Sequence, residues 1–520
     1  MGAYRPGDRF FLVGGGIASL AAAVFLLRDL GVPGERINVI AADERPGGAL
    51  VSGWPEQRPA LAVGNAVRNL DAAASACLCD LLGSIPTLAD PGISVFEETV
   101  AASRHRGSGA EARLLDRDRR VVRPDPQDAS AARGRLLRLL GDGPDPELAG
   151  RRIDEVVPPE MLGSDFWIRW SDFYRLRASS SALDLRTTLL RRPPESPLPR
   201  LYHSRLSEYE SIIKPLRHWL RIRGVEFTHG VTVEDMDISD DPAGGRRATG
   251  LHLVAHDRLS TVELGPGDHV LATLGSLAAD AAYGDDDTPP VPGPADREGS
   301  WRLWESLAGR QPDFGRPATF TAHTEDTAWL SFTLTTTAPD LHRHLGELLD
   351  DGPGDDDGDG DAGVGLITFR DSPWLLTLAV PRGPYYTGQW PARTVLGHGT
   401  RLDARGEHVP VTLREADGRQ LLDEVIGQAG IEHGAATVRR TTHGVSTLLP
   451  FAGGPVAPRA AGDRPDPVPA GARNFAFLGQ YVEIPGDVAF SMEYSVRSAM
   501  LAVYGLLGLD REVPAPCRAG

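Results

Sequence analysis

Three consecutive glycines, Gly14, Gly15 and Gly16, follow the apolar stretch Arg9–Val13 and precede the Ala- and Leu-rich stretch Ile17–Leu30. A strand, a tight turn and a helix in that order bring a helix N-terminus and several unhindered backbone N–H groups to one point. That arrangement binds a pyrophosphate, so the predicted ligand is a dinucleotide. The pattern Gly14-x-Gly16-x-x-Ser19 puts a small residue where a third glycine often stands. Gly31 supplies a helix stop and residues 36–41 read as a second strand, which together predict the first half of a parallel doubly wound unit. The apolar run 11–27 is shorter than a usual membrane span and holds all three glycines, which argues for strand, turn and helix instead.

A chain of 520 residues has room for two or three domains, because single cores rarely grow beyond about 250–300 residues. Lys and Arg number 54 against 71 Asp and Glu, a formal charge of -17 that gives no general reason to expect a nucleic-acid partner. Cys77, Cys79 and Cys517 form neither a disulfide framework nor a metal-ligand set, so a reducing compartment and no metal are expected. The Asp- and Gly-rich run 350–361 resembles a calcium loop superficially. It lacks the flanking helices and the closing Glu, and reads as a solvated excursion.

Further along, residues 70–82 carry apolar positions at helical spacing and end at Gly83, and a helix is expected near 131–140. Residues 166–190 space Phe166, Trp167, Trp170, Phe173 and Leu176 as a helical subdomain would. A helix over 209–223 leads to strands at 225–228, 231–233 and 251–255, and the apolar stretch 270–274 is a buried strand ending in Gly275. Residues 366–369 and 374–380 read as a hairpin, and Phe475–Leu478 as a strand before a helix over 488–507 stopped by Gly508.

The predicted fold class is α/β: a discontinuous Rossmann-like dinucleotide-binding domain, read below as FAD-binding from a family resemblance, with an inserted mixed α+β substrate domain and a helical C-terminal portion. The expected divisions are 1–100 for the first part of the cofactor domain and 101–235 for an inserted substrate domain with a helical subdomain. Residues 236–290 form its second part, 291–445 a mixed substrate domain, 446–510 the closing segment with its helix, and 511–520 a tail.

The motifs resemble those of the oleate hydratase family, also called myosin-cross-reactive antigens, at intervals over residues 9–507. The likeness is carried by Ser19-Leu20-Ala21-Ala22-Ala23, Phe25-Leu26-Leu27-Arg28-Asp29 and Pro46-Gly47-Gly48-Ala49-Leu50. It continues in Ser84-Ile85-Pro86, Tyr209-Glu210-Ser211, the run from Arg310 to Pro317, and most specifically the run from Asn474 to Pro485 with Glu493 to Arg497. The resemblance implies FAD held without net redox change, addition of water across the double bond of an unsaturated fatty acid, a homodimer, and a cytoplasmic or membrane-peripheral location with transient membrane-surface contact. It makes Gly14, Gly16, Ser19, Asp43, Gly47, Gly48, Gly479, Glu483 and Asp487 the candidate FAD-binding residues. It also turns the N-terminus of the expected helix at Val488 toward the flavin's pyrimidine edge. The acidic ribose contact at the end of the second strand is replaced by Ala41 and Ala42. Either Asp43 reaches back to the ribose, or water and backbone groups serve it.

Hydrating an isolated alkene needs a proton donor on one carbon and a positioned water on the other, inside an apolar channel. The family's Arg-Glu pair falls at Asn69 and Leu70, and leucine transfers no proton. Asp71, one position on, either substitutes for that acid or caps the helix beginning nearby. In the family's Tyr-x-x-Tyr-Glu-Ser arrangement the first tyrosine is Leu206 and the second Tyr209, so Tyr209 is either an acid or a satisfied core tyrosine. Tyr202 and His203 are secondary candidates, and Phe451 stands where relatives place a substrate-pocket tyrosine. Asp71 and Tyr209 are thus the candidate catalytic residues, and Tyr202 and Phe451 the candidate substrate contacts.

These departures leave the cofactor side better matched than the hydration side. The expected activity is FAD-dependent, net non-redox hydration or double-bond isomerisation of an unsaturated fatty acid or another hydrophobic alkene. The alternatives are a flavin oxidoreductase acting on a specialised metabolite and a catalytically inactive lipid-binding flavoprotein.

Overall fold

The computed structural model describes residues 4–52, 74–104, 112–123, 126–141, 147–191, 203–293, 299–349, 364–389, 391–489 and 491–516. Asp71 and Tyr202 lie outside the described residues, as do Asn69, Leu70, Cys517 and the run 350–361.

The Arg9–Val13 strand is buried at every position after Arg9, and the Ile17–Leu30 helix buries all ten residues from Ile17 to Leu26. A helix apolar all round must be covered on all sides. The parallel sheet covers one side and the Met492–Leu507 helix another, in one continuous core. Gly31 ends the helix in the left-handed conformation, φ 68°, with its N–H donated to Leu26 O.

The five-stranded parallel sheet runs Phe475–Leu478, Asp268–Thr273, Arg9–Val13, Ile37–Ala41, Glu226–His229. Its strands come from widely separated stretches of chain, as a discontinuous Rossmann-like domain requires. Glu226–His229 falls inside the expected insert of 101–235 yet pairs with Ile37–Ala41, with Val39 opposite Phe227.

The eight-stranded sheet runs Ala282–Gly284, Thr442–Leu449, Trp329–Thr336, Arg393–Gly399, Thr377–Pro381, Val364–Phe369, Ala112–Leu115, Val121–Val122. Its pairs are antiparallel except for Val364–Phe369 with Ala112–Leu115. The expected hairpin at 366–380 is the Val364–Phe369 and Thr377–Pro381 pair. Thr232–Asp240, Arg246–Ala255 and Arg258–Glu263 form a separate antiparallel sheet.

The C-terminal helix departs from expectation at its start. It begins at Met492, where the Ser491 hydroxyl accepts the Tyr494 N–H, and not at Val488. The Asp487 carboxylate is drawn instead to Arg497 and, at 2.7 Å, to Arg191. Arg497, only 2% exposed, also pairs with Glu493 at 2.6 Å. Glu493 in turn accepts the N–H groups of Cys77 and Leu78, at 3.1 and 2.7 Å, from the start of the Ala76–Gly83 helix. A buried guanidinium therefore ties three segments together. Removing one member of such a group strands the others, so Arg497→Met lowers stability by about 3–5 kcal/mol, read as a drop in denaturant midpoint, with Arg497→Lys falling between.

Candidate functional site

The carboxyl ends of the parallel strands open on a cleft of about 940 Å³, where open α/β sheets place their ligands. Its floor is the glycine turn. Gly14 has φ +105°, and a Cβ there would lie 3.0 Å from Thr273. At Gly15 a Cβ would come within 2.9 Å of both Ala41 and Pro46, which accounts for glycine at the point where two strands and a loop converge. At Gly16 a Cβ would meet nothing within 4 Å, because that side of the backbone faces the open cleft. Gly16 is also the N-cap of the Ile17–Leu30 helix, with no side-chain cap and no acidic residue in the first turn. Its free N–H groups and dipole are thus left for an anion in the cleft. Gly47, Gly48 and Gly479 line the same space, and Gly48 approaches so closely that a Cβ would lie 3.2 Å from the Gly16 Cα. This cradle fits a diphosphate.

Asp43 also lines the cleft, and desolvation raises its carboxyl above the ordinary value against the opposing charge of Arg45. Three other expected cofactor contacts are placed elsewhere. The Ser19 hydroxyl points back to Thr273 Oγ1 at 3.1 Å and Val13 O at 3.4 Å, so its small size serves helix-to-sheet packing. Glu483 stands 3.5 Å from Arg459, and Asp487 is held by Arg497 and Arg191; neither lines the cleft. Met492 and Ser495, at the start of the C-terminal helix, line the cleft, and Val488 does not.

Tyr209 lies in a π-helical turn, Tyr209–Ile213, with its ring against Gly47 and its hydroxyl accepting from Arg217 Nη1 at 3.0 Å. It supports the cleft wall from behind. Phe451 is 2% exposed, outside the cleft lining, with its ring tilted against Trp301 at 5.2 Å. His203 is buried, and burial lowers it to about 4, so it is neutral at pH 7.

The polar group that the sequence did not single out is adjacent to Tyr209. Glu208 is buried and accepts the Tyr385 hydroxyl at 3.0 Å. Ser207 N–H donates to Tyr385 O at 2.8 Å, and Glu210 accepts both the N–H and hydroxyl of Thr387, at 2.6 and 2.7 Å. These bonds clamp the 385–387 turn onto the 207–210 segment. Tyr386 adjoins Ser52 of the cleft wall, and burial with the charges of Glu208 and Glu210 raises its hydroxyl so that it keeps its proton. The pair is separated by 177 positions. Its only sequence signals were an acid beside an expected tyrosine and a Tyr-Tyr step.

Curated relatives align over nearly the whole chain. The oleate hydratase of Streptococcus pyogenes serotype M49 (strain NZ131) is 29% identical over 516 residues, covering 97% of this chain and 86% of that protein. The linoleate hydratase of Lactiplantibacillus plantarum is 26% identical, covering 98% and 95%. Among solved structures, a putrescine oxidase bound to putrescine matches with TM-score 0.52 at 12% identity, over 96% of this chain and 99% of that one. The cyclohexylamine oxidase of Brevibacterium oxydans IH-35A gives 0.51 at 13%, over 97% and 100%. At that identity the two oxidases share the fold alone. The sequence profile of the MCRA family matches residues 8–504, and the chain belongs to that family.

Proposed function

We propose that this protein binds FAD in the glycine-floored cleft and hydrates, or shifts the double bond of, an unsaturated fatty acid or a similar hydrophobic alkene. The observation that carries the reading is the open side of Gly16 at an uncapped helix N-terminus facing a cleft of about 940 Å³. The hydratase names of the two aligned relatives support the choice of reaction. Gly14, Gly16, Gly47, Gly48 and Gly479 would hold the cofactor through backbone, with Asp43 near the ribose. FAD would supply a flat surface bounding the alkene pocket, without net change of redox state.

Proton handling falls to groups of this chain. The buried Glu208 and Tyr385 form a hydrogen-bonded acid pair next to Tyr386, which bonds Ser52 of the cleft wall. Asp71 is the competing carrier, placed by sequence alone. Hydration would require bulk water to be kept from the alkene, so that one positioned water adds to the carbon opposite the proton.

The test is incubation of flavin-loaded protein with oleate and linoleate in heavy-oxygen water. Labelled hydroxy acid or a displaced double bond is expected, without stoichiometric reductant or oxygen uptake. Flavin-bound protein giving neither product defeats the proposal, and substrate-dependent flavin reduction replaces it with the oxidoreductase alternative.

A further inference from the structure

The eight-stranded sheet has two unlike faces. Leu330, Phe332 and Leu334 join an apolar core with Leu341, Leu345 and Val425. The alternate residues Trp329, Ser331, Thr333 and Thr335 point to the opposite face, as strand periodicity requires. There the Trp329 Nε1 and the hydroxyls of Ser331, Thr333 and Thr335 are buried with no hydrogen-bond partner among the described residues. Folded interiors leave few polar atoms in that condition.

Two guanidiniums lie against this face. Arg175 stands 5.2 Å and Arg177 4.9 Å from the centre of the Trp329 ring. Arg175 Nη1 is 2.5 Å from His398 Nε2, which is 2.7 Å from Asp172 Oδ1. Burial and the nearby Arg175 lower His398, leaving the imidazole neutral and Asp172 as the counter-charge. Arg177 has no such partner. Its Nη1 donates to Asp326 O at 3.3 Å, while the Asp326 carboxylate is engaged by Arg152 at 2.8 Å. Its Nε and Nη2 are buried without a partner among the described residues. Desolvation lowers this guanidinium to about 10, so it stays charged at neutral pH. With Asp172 facing Arg175 and the Asp326 carboxylate shared with Arg152, the Arg177 Nε and Nη2 donors stay unused beside unpartnered hydroxyls, a condition that an incoming anion relieves.

This place and the cleft border one sheet. Arg175 and Arg177 are half-buried as residues, with the Nε and Nη2 of Arg177 turned inward. Trp329 packs with Leu449, Ala452 and Ala281, next to Ala279 and Tyr283 of the cleft wall. Across the strands Tyr283 pairs with Thr447, Thr447 with Ser331 and Ser331 with His398. Three strand spacings, about 14 Å, thus separate the cleft edge from His398.

We propose that Arg175 and Arg177 receive the carboxylate of a long-chain substrate, whose alkyl chain runs past Trp329 to the cleft. This rests on the fatty-acid reading above and adds how the acid end is recognised. Arg177 offers Nε and Nη2 as a fork for two carboxylate oxygens, a pairing with both charge and geometry. A neutral ester of the same chain cannot use it.

Stearate and methyl stearate, titrated calorimetrically into flavin-loaded protein, provide the test, because a saturated chain binds whether or not alkene chemistry proceeds. Wild type is expected to prefer the acid by about ten- to a hundredfold. Arg177→Gln and Arg175→Gln each erase most of that preference while FAD affinity is unchanged, and Arg177→Lys keeps part of it. Equal binding of acid and ester by wild type, or an undiminished preference in both Gln variants, overturns the assignment. If hydration fails while stearate binding still depends on Arg177, the alkene chemistry is rejected and the anion site stands. If turnover proceeds and the preference ignores both arginines, only the anion site is rejected.

Discussion

Gly16→Val leaves the apoprotein folded and lowers its affinity for FAD by about a hundredfold or more, the loss expected when two charge-assisted hydrogen bonds of about 1.5–3 kcal/mol each are blocked. The backbone at Gly16 is extended, φ -78° and ψ 174°, which valine adopts without strain. A Cβ there meets no protein atom within 4 Å, so the added methyl groups project into the cleft where a diphosphate would approach the helix N–H groups. Gly15→Val is the contrasting variant. Its Cβ strikes Ala41 and Pro46 at 2.9 Å, so it lowers apoprotein stability as well as FAD binding. Flavin-fluorescence titration and thermal unfolding of the two apoproteins separate these effects. A Gly16→Val protein that binds FAD within threefold of wild type removes the cradle from the cofactor site.

The cofactor half was legible because its signals are local. A strand, a glycine turn and a fully apolar helix lie within residues 9–30, and each dictates its own conformation. The late strand Phe475–Leu478 was equally plain, four apolar residues before a glycine with φ +93°. What the glycine pattern did not reveal was side-chain direction. Ser19 and Gly16 belong to one motif, yet the helix turns Ser19 into the sheet and leaves Gly16 at the cleft. The start of the C-terminal helix was misplaced for an electrostatic reason. Asp487 precedes Val488 as a capping residue would, but half-buried Arg191 and buried Arg497 claim its carboxylate, and Ser491 caps the helix instead.

The proposed catalytic half was poorly legible because its contacts are long-range. Tyr209 stood out by its motif, but its hydroxyl is turned to Arg217 and its ring to Gly47. Glu208, one residue earlier, faces the opposite way and meets Tyr385. Glu208 sits just before the π-helical turn that begins at Tyr209, and no periodicity in the sequence announces that turn. The Arg177 environment was hidden similarly. Residues 166–176 show only aromatic helical spacing, and the charges that follow gain meaning when Trp329 is brought against them.

Glu208→Gln and Tyr385→Phe are each expected to lower turnover of an unsaturated fatty acid by about 10²–10⁴-fold, the range of a lost general acid or base. Glutamine preserves an acceptor for the Tyr385 hydroxyl but carries no acidic proton, and phenylalanine preserves the ring packing against Tyr386 at 5.0 Å while removing the hydroxyl. Both variants keep the flavin spectrum, since neither residue lines the cofactor cleft. If the two groups pass one proton between them, their effects do not add: the double variant falls no more than about threefold below the worse single one. Independent contributions would instead multiply. Flavin-loaded single variants with kcat within threefold of wild type would move the acid role away from this pair, and a large loss in Asp71→Asn would assign it to Asp71.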